Sequence, residues 1–340
     1  MPHLTYFEAI VLGLIQGISE LFPVSSLGHS VLIPALIGGS WGRDLDMSAD
    51  RSPYLTFLVA THVATAVSQV VFYRKDWLRI VTGLFTSIRH RRIATADQKL
   101  AWLLVIATIP VGVAGLALEH LFRTAFGRPV PVALFLTLNG AVLLAVEKLR
   151  GRSGEQRYDG PVAVGAASRR TGQASGEGQV YVAAGYVGDG RVDPDRAGGH
   201  GGGAGALASD ARLARLSWKE GLLIGGAQVF ALLPGISRSG STMVAGLLRG
   251  LSHEDAVRFA FLLATPVIAA AGVLKLPRLF GPEGHGVVGP ILAGSVVAAV
   301  ASYLSLRFLT RYFETRTLTP FAIYCVIAGL LSLGWLTLAG

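Results

Sequence analysis

The sequence predicts an all-α membrane protein with six transmembrane helices plus two re-entrant helical hairpins, arranged as an inverted repeat. Three observations lead there. First, 51% of the 340 residues are apolar, only 15% are charged and the mean hydropathy is +0.53, which excludes an ordinary soluble enzyme. Second, six apolar stretches at 54–73, 100–118, 130–146, 256–274, 287–306 and 320–339 reach or approach the ~20 residues that a helix needs to cross a bilayer. Third, LGLIQGISELFPVSSLGHS (12–30) recurs 212 positions later as IGGAQVFALLPGISRSGST (224–242). Aligned from Tyr6 and Trp218, the copies share six identities: Glu8/Glu220, Gly13/Gly225, Gln16/Gln228, Leu21/Leu233, Ser25/Ser237 and Gly28/Gly240.

The elements follow in order. Segments 5–20 and 24–40 form the first predicted hairpin, and 218–233 and 240–250 the second. Each is too short to cross, and each pair is broken at a proline and a hydroxyl-rich turn. Such breaks survive at membrane depth only where they are buried in protein or line a wet cavity. Three spans follow each hairpin, of which the third and fourth are marginal and extend into their flanks. Residues 1–150 are thus the first repeat and 213–340 the second. An odd number of crossings per half brings the second half in from the opposite face. Chance similarity between two Gly/Leu/Ser-rich segments is the competing explanation. Residues 151–212, with 16 of the 43 glycines and no Phe or Trp, are predicted as a disordered cytoplasmic Gly-rich linker.

Charge sets the expected orientation. Residues 74–99 carry Arg74, Lys75, Arg79, Arg89, Arg91, Arg92 and Lys99 against Asp76 and Asp97, which marks a cytoplasmic loop. Counting crossings puts 147–217 and 307–319 on that side as well. It puts 119–129, 275–286 and both termini outside. The net charge of +9 then reflects topology and attraction to anionic membrane lipids. The basic residues are dispersed without interleaved exposed aromatics, so nucleic acid is not an expected partner. Cys325 is the single cysteine, which rules out an intrachain disulfide. Met1–Ile10 lacks a basic region and a cleavage site and is expected to begin the first hairpin.

The polar residues of the two hairpins carry the chemistry. Gln16 and Glu20 are four apart, hence on one helix face, and Ser25, Ser26, Gly28 and His29 follow Pro23. Ionisable groups at membrane depth are costly and point to function. The bland reading is a solvated cap, with Ser25 or Ser26 capping the next helix. The second hairpin offers Pro234-Gly235-Ile236-Ser237-Arg238-Ser239-Gly240-Ser241-Thr242. Its hydroxyls, a helix N-terminus and the Arg238 fork suit an oxyanion. Capping explains the serines but leaves Arg238 unexplained in an apolar context. One hairpin thus supplies base, nucleophile and potential metal ligands, and the other an anion cradle. A phosphoryl group at midplane depth fits both.

Gln16-Gly17-x-x-Glu20-x-x-Pro23-x-Ser25-Ser26-x-Gly28-His29, with Pro234-Gly235-x-Ser237-Arg238-Ser239-Gly240, resembles the undecaprenyl-diphosphate phosphatases of the bacitracin-resistance type. Phe57–Asp76, Phe261–Gly272 and Phe321–Tyr324 also match stretches of that family, so the resemblance covers nearly the whole chain. It implies a multi-pass protein of the bacterial cell (inner) membrane that hydrolyses the C55 isoprenyl diphosphate lipid to monophosphate and inorganic phosphate. That reaction recycles the carrier for peptidoglycan synthesis and confers bacitracin resistance. A divalent cation, Mg²⁺ or Ca²⁺, is implied with Glu20 as its ligand. The chain departs from the family pattern at Leu27, where Ser or Thr is commoner, and in its long insert. It also has Gln16 where the family alternates Glu and Gln.

The expected roles follow from the resemblance. Ser26 attacks the β-phosphate with His29 as general base or acid, Glu20 ligates the cation or acts as a base helped by Gln16, and Arg238 completes the catalytic set. Gln16, Ser25, Ser237, Ser239, Gly240 and Thr242 hold substrate. His29 or water as the nucleophile stays open, as does a homodimer. Two rivals remain at this stage. One is a secondary transporter or flippase for phosphate or a lipid phosphate, since inverted repeats with broken helices suit transport. The other is a catalytically silent lipid-binding protein of the same fold.

Overall fold

The computed structural model describes residues 4–45, 53–126, 128–153, 204–275 and 287–338. Among them the chain is helical, without strands. Helix α1 (Tyr6–Ser19) leads through a break to α2 (Ser26–Ile37), followed by short α3 (Gly39–Asp44). Next come α4 (Pro53–Phe72), α5 (Arg74–His90), α6 (Ala96–Phe126) and α7 (Pro129–Ser153). The second half holds α8 (Ala204–Leu213), α9 (Trp218–Gly226) and a 3₁₀ turn (Ala227–Leu232) before α10 (Arg238–Leu248). It ends with α11 (His253–Lys275), α12 (Val288–Tyr312) and α13 (Thr319–Leu338).

Six helices are long and apolar enough to cross a membrane: Tyr54–Phe72, Ala96–Leu118, Pro129–Gly151, His253–Val273, Val288–Tyr312 and Thr319–Leu338. They coincide with the six predicted stretches, and the third and fourth do extend into their flanks. Their outer faces stay apolar and exposed, as in Val105, Ile109, Val113 and Leu116 of α6 or Leu292, Val296, Val300 and Leu304 of α12. Exposed apolar stripes such as these are what a lipid solvent tolerates and water does not.

The shorter helices are defined by capping. Thr5 Oγ1 accepts from Glu8 N (3.2 Å) while a Glu8 carboxylate oxygen accepts from Thr5 N (2.8 Å). Ser217 and Glu220 repeat this capping box before α9, at 3.2 and 2.9 Å. Ser25 and Ser237 cap α2 and α10 through Gly28 N (3.2 Å) and Gly240 N (3.0 Å). Each of these pairs stands 212 residues apart. The identity Gly13/Gly225 has a packing cause. A Cβ on Gly13 would collide with the backbone of Gly294 in α12, and one on Gly225 with the backbone of Ala107 in α6. So the first short helix lies on a long helix of the second half, and its counterpart lies on a long helix of the first.

Two expectations are corrected. The 74–99 segment is not a loop: α5 occupies most of it, burying Asp76, Ile80, Gly83 and Ser87 on one face. A stretch dense in Arg and Lys hides its helical period behind its charge. The predicted disordered linker 151–212 is also trimmed. Helix α7 runs to Ser153 and α8 occupies Ala204–Leu213; the interior, 154–203, lies outside the described residues. Helix α8 is held by charges from elsewhere. Asp210 accepts from Arg79 Nη2 (2.7 Å) and Arg258 Nε (2.8 Å), and Arg212 Nε donates to Asp255 (2.6 Å), which also accepts from Ser209. Those partners come from α5 and α11, so no local composition could reveal them. The predicted outer segments 119–129 and 275–286 and the chain ends fall largely outside the described side chains.

The glycine contacts give a direct test. Gly225→Ala should destabilise the protein by about 1–3 kcal/mol through overpacking. Its neighbour Gly226, around which nothing lies within 4 Å, should accept alanine with a gain of up to ~1 kcal/mol. Thermal unfolding midpoints of the two variants in detergent should move in opposite directions.

Candidate active site

The two breaks meet tip to tip. A Cβ on Gly28 would stand 3.1 Å from Gly235 Cα, and one on Gly240 would stand 3.3 Å from Pro23 Cβ. Asn139 of α7 pins them together. Its Nδ2 donates to Pro23 O (3.0 Å) and its Oδ1 accepts from Ser237 N (3.0 Å). Ser239 adds a bond to Phe22 O (3.3 Å). Gly235 sits at φ +108°, which only glycine adopts without strain. Ser25 sits at φ +67°, an uncommon conformation for a residue with a Cβ, and this aims the start of α2.

Glu20 is the centre of the arrangement. It is 7% exposed, and its two oxygens receive four hydrogen bonds. Gln16 Nε2 (3.0 Å), Ser26 Oγ (2.5 Å) and His62 Nε2 (3.2 Å) reach Oε2, and Arg238 Nη2 (2.5 Å) reaches Oε1. These donors come from α1, α2, α4 and α10. The predicted Gln16, Glu20, Ser26 and Arg238 are therefore brought together. His62 was missed. The available signal was an ionisable side chain inside a predicted span. Its Nδ1 donates to Leu58 O (2.7 Å), so both ring nitrogens face oxygen acceptors, the arrangement of a doubly protonated ring.

His29 is placed otherwise than its predicted role requires. Its Nδ1 donates to Ser25 O (2.7 Å) and its Nε2 accepts from Tyr324 Oη (2.6 Å), with the two rings stacked 5.7 Å apart. Neither nitrogen meets Ser26. Thr242 Oγ1 donates to Arg238 O (3.0 Å), and Ser237 Oγ lies 3.0 Å from Ser239 Oγ. Those hydroxyls serve the backbone turn that presents Arg238.

A cavity of ≈ 420 Å³ opens from this cluster. Glu20, Ser25, Ser26, His62, Ser237 and Arg238 form its polar end. The rest is mainly apolar and comes chiefly from α4, α6, the 3₁₀ turn and α11, including Val59, Val111, Leu232 and Ile268. Helices α2 and α10 both begin at the polar end, so two positive helix termini converge there. Arg238 Nη1 is buried with no hydrogen-bond partner, as is Gln16 Oε1. A buried, unmated guanidinium N–H beside two helix N-termini is a receptor for an anion.

The same donor set does not fit a resident hard cation. Mg²⁺ and Ca²⁺ need several oxygen ligands. Among the described residues Glu20 is the only carboxylate lining the cavity, and N–H and O–H groups already point at both its oxygens. Among the described residues no cluster of three His, Cys, Asp or Glu side chains exists.

Asn139→Ala should cost about 2–4 kcal/mol, because it strands a buried N–H on Ser237 and a buried carbonyl on Pro23. Asn139→Asp keeps the acceptor for Ser237 but buries a carboxylate against Pro23 O and should cost at least as much. Denaturant or thermal unfolding of the purified variants checks the order.

Comparison with known proteins agrees with this site. Residues 9–169 and 199–331 match the family described as Bacitracin resistance protein BacA. The chain is 57% identical over 336 residues to an undecaprenyl-diphosphatase of Mycolicibacterium paratuberculosis, covering 99% of both chains. It is 55% identical to undecaprenyl-diphosphatase 2 of Frankia alni, covering 97% of this chain and 98% of the relative. To undecaprenyl-diphosphatase 2 of Burkholderia ambifaria it is 38% identical, over 97% and 96%. Full-length matches of this depth, joined to a cluster built on the family's motif residues, settle the assignment: the chain belongs to the Bacitracin resistance protein BacA family.

Proposed function

We propose that the cavity takes undecaprenyl diphosphate and that the chain hydrolyses its terminal phosphoanhydride, giving undecaprenyl phosphate and inorganic phosphate. The observation that carries this is the cavity itself. Its polar end is an anion receptor with an unmated Arg238 N–H, and its apolar walls continue from that end to accommodate the proximal isoprenyl chain. The relatives' names specify the same lipid.

In this reading Ser26 attacks the β-phosphorus. Its proton passes to Glu20, whose Oε2 already accepts from Ser26 Oγ. The phosphoanhydride bond breaks, and undecaprenyl phosphate leaves with the bond's electron pair. Water then attacks the phosphoserine phosphorus, the Oγ–P bond breaks, Glu20 returns its proton to Ser26 Oγ, and the protons of the water leave with inorganic phosphate. Arg238 exchanges its bond to Glu20 for the phosphoryl oxygens, and the first turns of α2 and α10 stabilise charge as it develops. Glu20, not His29, is the base in this scheme. His29, clamped between Ser25 O and Tyr324, positions the strained turn that carries Ser26. Gln16 and His62 orient the Glu20 carboxylate, and Ser237, Ser239, Gly240 and Thr242 shape the Arg238 turn. No step is assigned to a divalent cation.

The two helix–break–helix units are read as re-entrant hairpins of an inverted repeat in the bacterial inner membrane. The paired capping boxes, paired Ser caps and reciprocal Gly13 and Gly225 packing support this.

Arg238→Ala should lower turnover of C55 diphosphate at least about a hundredfold in folded protein, the typical loss of one preorganised charge-stabilising donor. Phosphate release within tenfold of the parent would sink the anion-receptor reading. Glu20→Gln should be nearly as damaging, whereas Gln16→Glu, which removes one orienting donor but leaves the Ser26–Glu20 bond, should lower turnover less. Tyr324→Phe releases His29 Nε2 and should lower kcat roughly fivefold, the equivalent of one ~1 kcal/mol hydrogen bond, with KM little changed.

A further inference from the structure

Helix α5 has no part in the proposed chemistry, yet its exposed face is strongly patterned. Asp76, Ile80, Gly83 and Ser87 face inward. On the opposite side Leu78, Val81, Phe85 and Ile88 form an apolar stripe at helical spacing, with Leu78 71% and Phe85 67% exposed. Exposed basic residues close both ends: Arg74 and Lys75 before the stripe, and Arg89, His90, Arg91 and Arg92 after it. The helix's single acidic residue, Asp76, is turned inward and paired with Arg79.

Its place in the fold is fixed by α6. A Cβ on Gly83 would stand 3.1 Å from the backbone of Asp97 and Gln98, and Ser87 Oγ accepts from Trp102 Nε1 (2.8 Å). Arg79 Nη1 lies 3.6 Å from Asp97. So α5 crosses the polar first turns of a candidate span, directly after the end of another, α4. A helix there lies at the edge of the bilayer and not through its centre. At 17 residues it is roughly 25 Å long. An apolar stripe bounded by cations, at that depth, has the composition of a surface-lying amphipathic helix.

We propose that α5 is an interfacial helix that docks on anionic phospholipid head groups, with Leu78, Val81, Phe85 and Ile88 in the acyl boundary and the terminal Arg and Lys side chains on the phosphates. The occupant is the lipid surface itself. The absence of acidic residues on the exposed face, and the basic excess at both ends, complement an anionic leaflet and repel a second copy of the same helix. Through Asp76 and Arg79 the helix is joined to Asp210 of α8 and Arg258 of α11, so its seating is held by the body of the protein.

The test uses the full chain in nanodiscs of phosphatidylcholine, with or without phosphatidylglycerol. A fluorophore on Phe85→Cys is compared with one on Glu314→Cys, an exposed position in the turn after α12. The Phe85 label should be blue-shifted and several-fold less quenched by iodide than the Glu314 label. Phosphatidylglycerol should strengthen that protection, and the combined Arg89→Gln, Arg91→Gln and Arg92→Gln variant should abolish the added effect. Three results each overturn the proposal: quenching at Phe85 equal to that at Glu314, protection indifferent to phosphatidylglycerol, or protection lost on dilution together with cross-links between labelled α5 helices, which would make a second copy the occupant.

Discussion

The constraint on which the rest of the structure depends is that Glu20 is a carboxylate buried among helices that face lipid. A charge in that setting persists only when its oxygens are matched by donors of good geometry. Four donors from four helices supply this, two in the first hairpin unit, one on a long span and one in the second unit. The two hairpin units must therefore approach tip to tip, and the small residues at their contact, Gly28, Gly235 and Gly240, permit the distance. Asn139 then seals the junction by taking the backbone groups that the proline breaks set free. The polar end of the cavity is a consequence of meeting Glu20's requirements.

This arrangement also explains why substrate binding can be coupled to chemistry. Arg238 is stored on Glu20 with one guanidinium nitrogen still unmated. An incoming phosphoryl group offers the guanidinium a bidentate partner, which a single carboxylate oxygen does not. In the proposed scheme, as Arg238 turns toward phosphate, Glu20 loses one of its two cationic partners and becomes a better acceptor for the Ser26 proton. The nucleophile of that scheme is thus activated when the anion arrives.

The long spans were legible because hydropathy reports them directly, and the two helix breaks because proline and hydroxyl-rich turns interrupt an otherwise apolar chain. Glu20, Ser26 and Arg238 were legible for the same reason. His62 was not, since a single histidine in a span carries no spacing that ties it to a glutamate 42 residues earlier. The bond to Ser26 expected of His29 is not formed, because its two ring nitrogens are taken by Ser25 O and Tyr324 Oη, and the latter partner lies 295 residues away. Helices α5 and α8 were hidden by composition, one by its charges and the other by the glycines around it. Both are fixed by ion pairs whose partners lie far along the chain.

The repeat shows how one backbone design yields two complementary halves of a site. In the 212-residue register Ser25 corresponds to Ser237, and both cap the helix after the break. The next position, the first of each helix, is Ser26 in one copy and Arg238 in the other. Equivalent backbone positions thus direct a nucleophile and a cation toward the same carboxylate from opposite sides. The position of that carboxylate, Glu20, is Leu232 in the second copy, and the matching Gln228 bonds back to Gly225 O (3.3 Å). Two copies of the glutamate would face each other across the junction as like charges, which burial makes costly. Divergence at two positions, 20/232 and 26/238, is enough to turn a symmetric pair of capped turns into an acceptor half and a donor half. In the proposed reaction a phosphoryl group between them meets a base and nucleophile on one side and a guanidinium on the other.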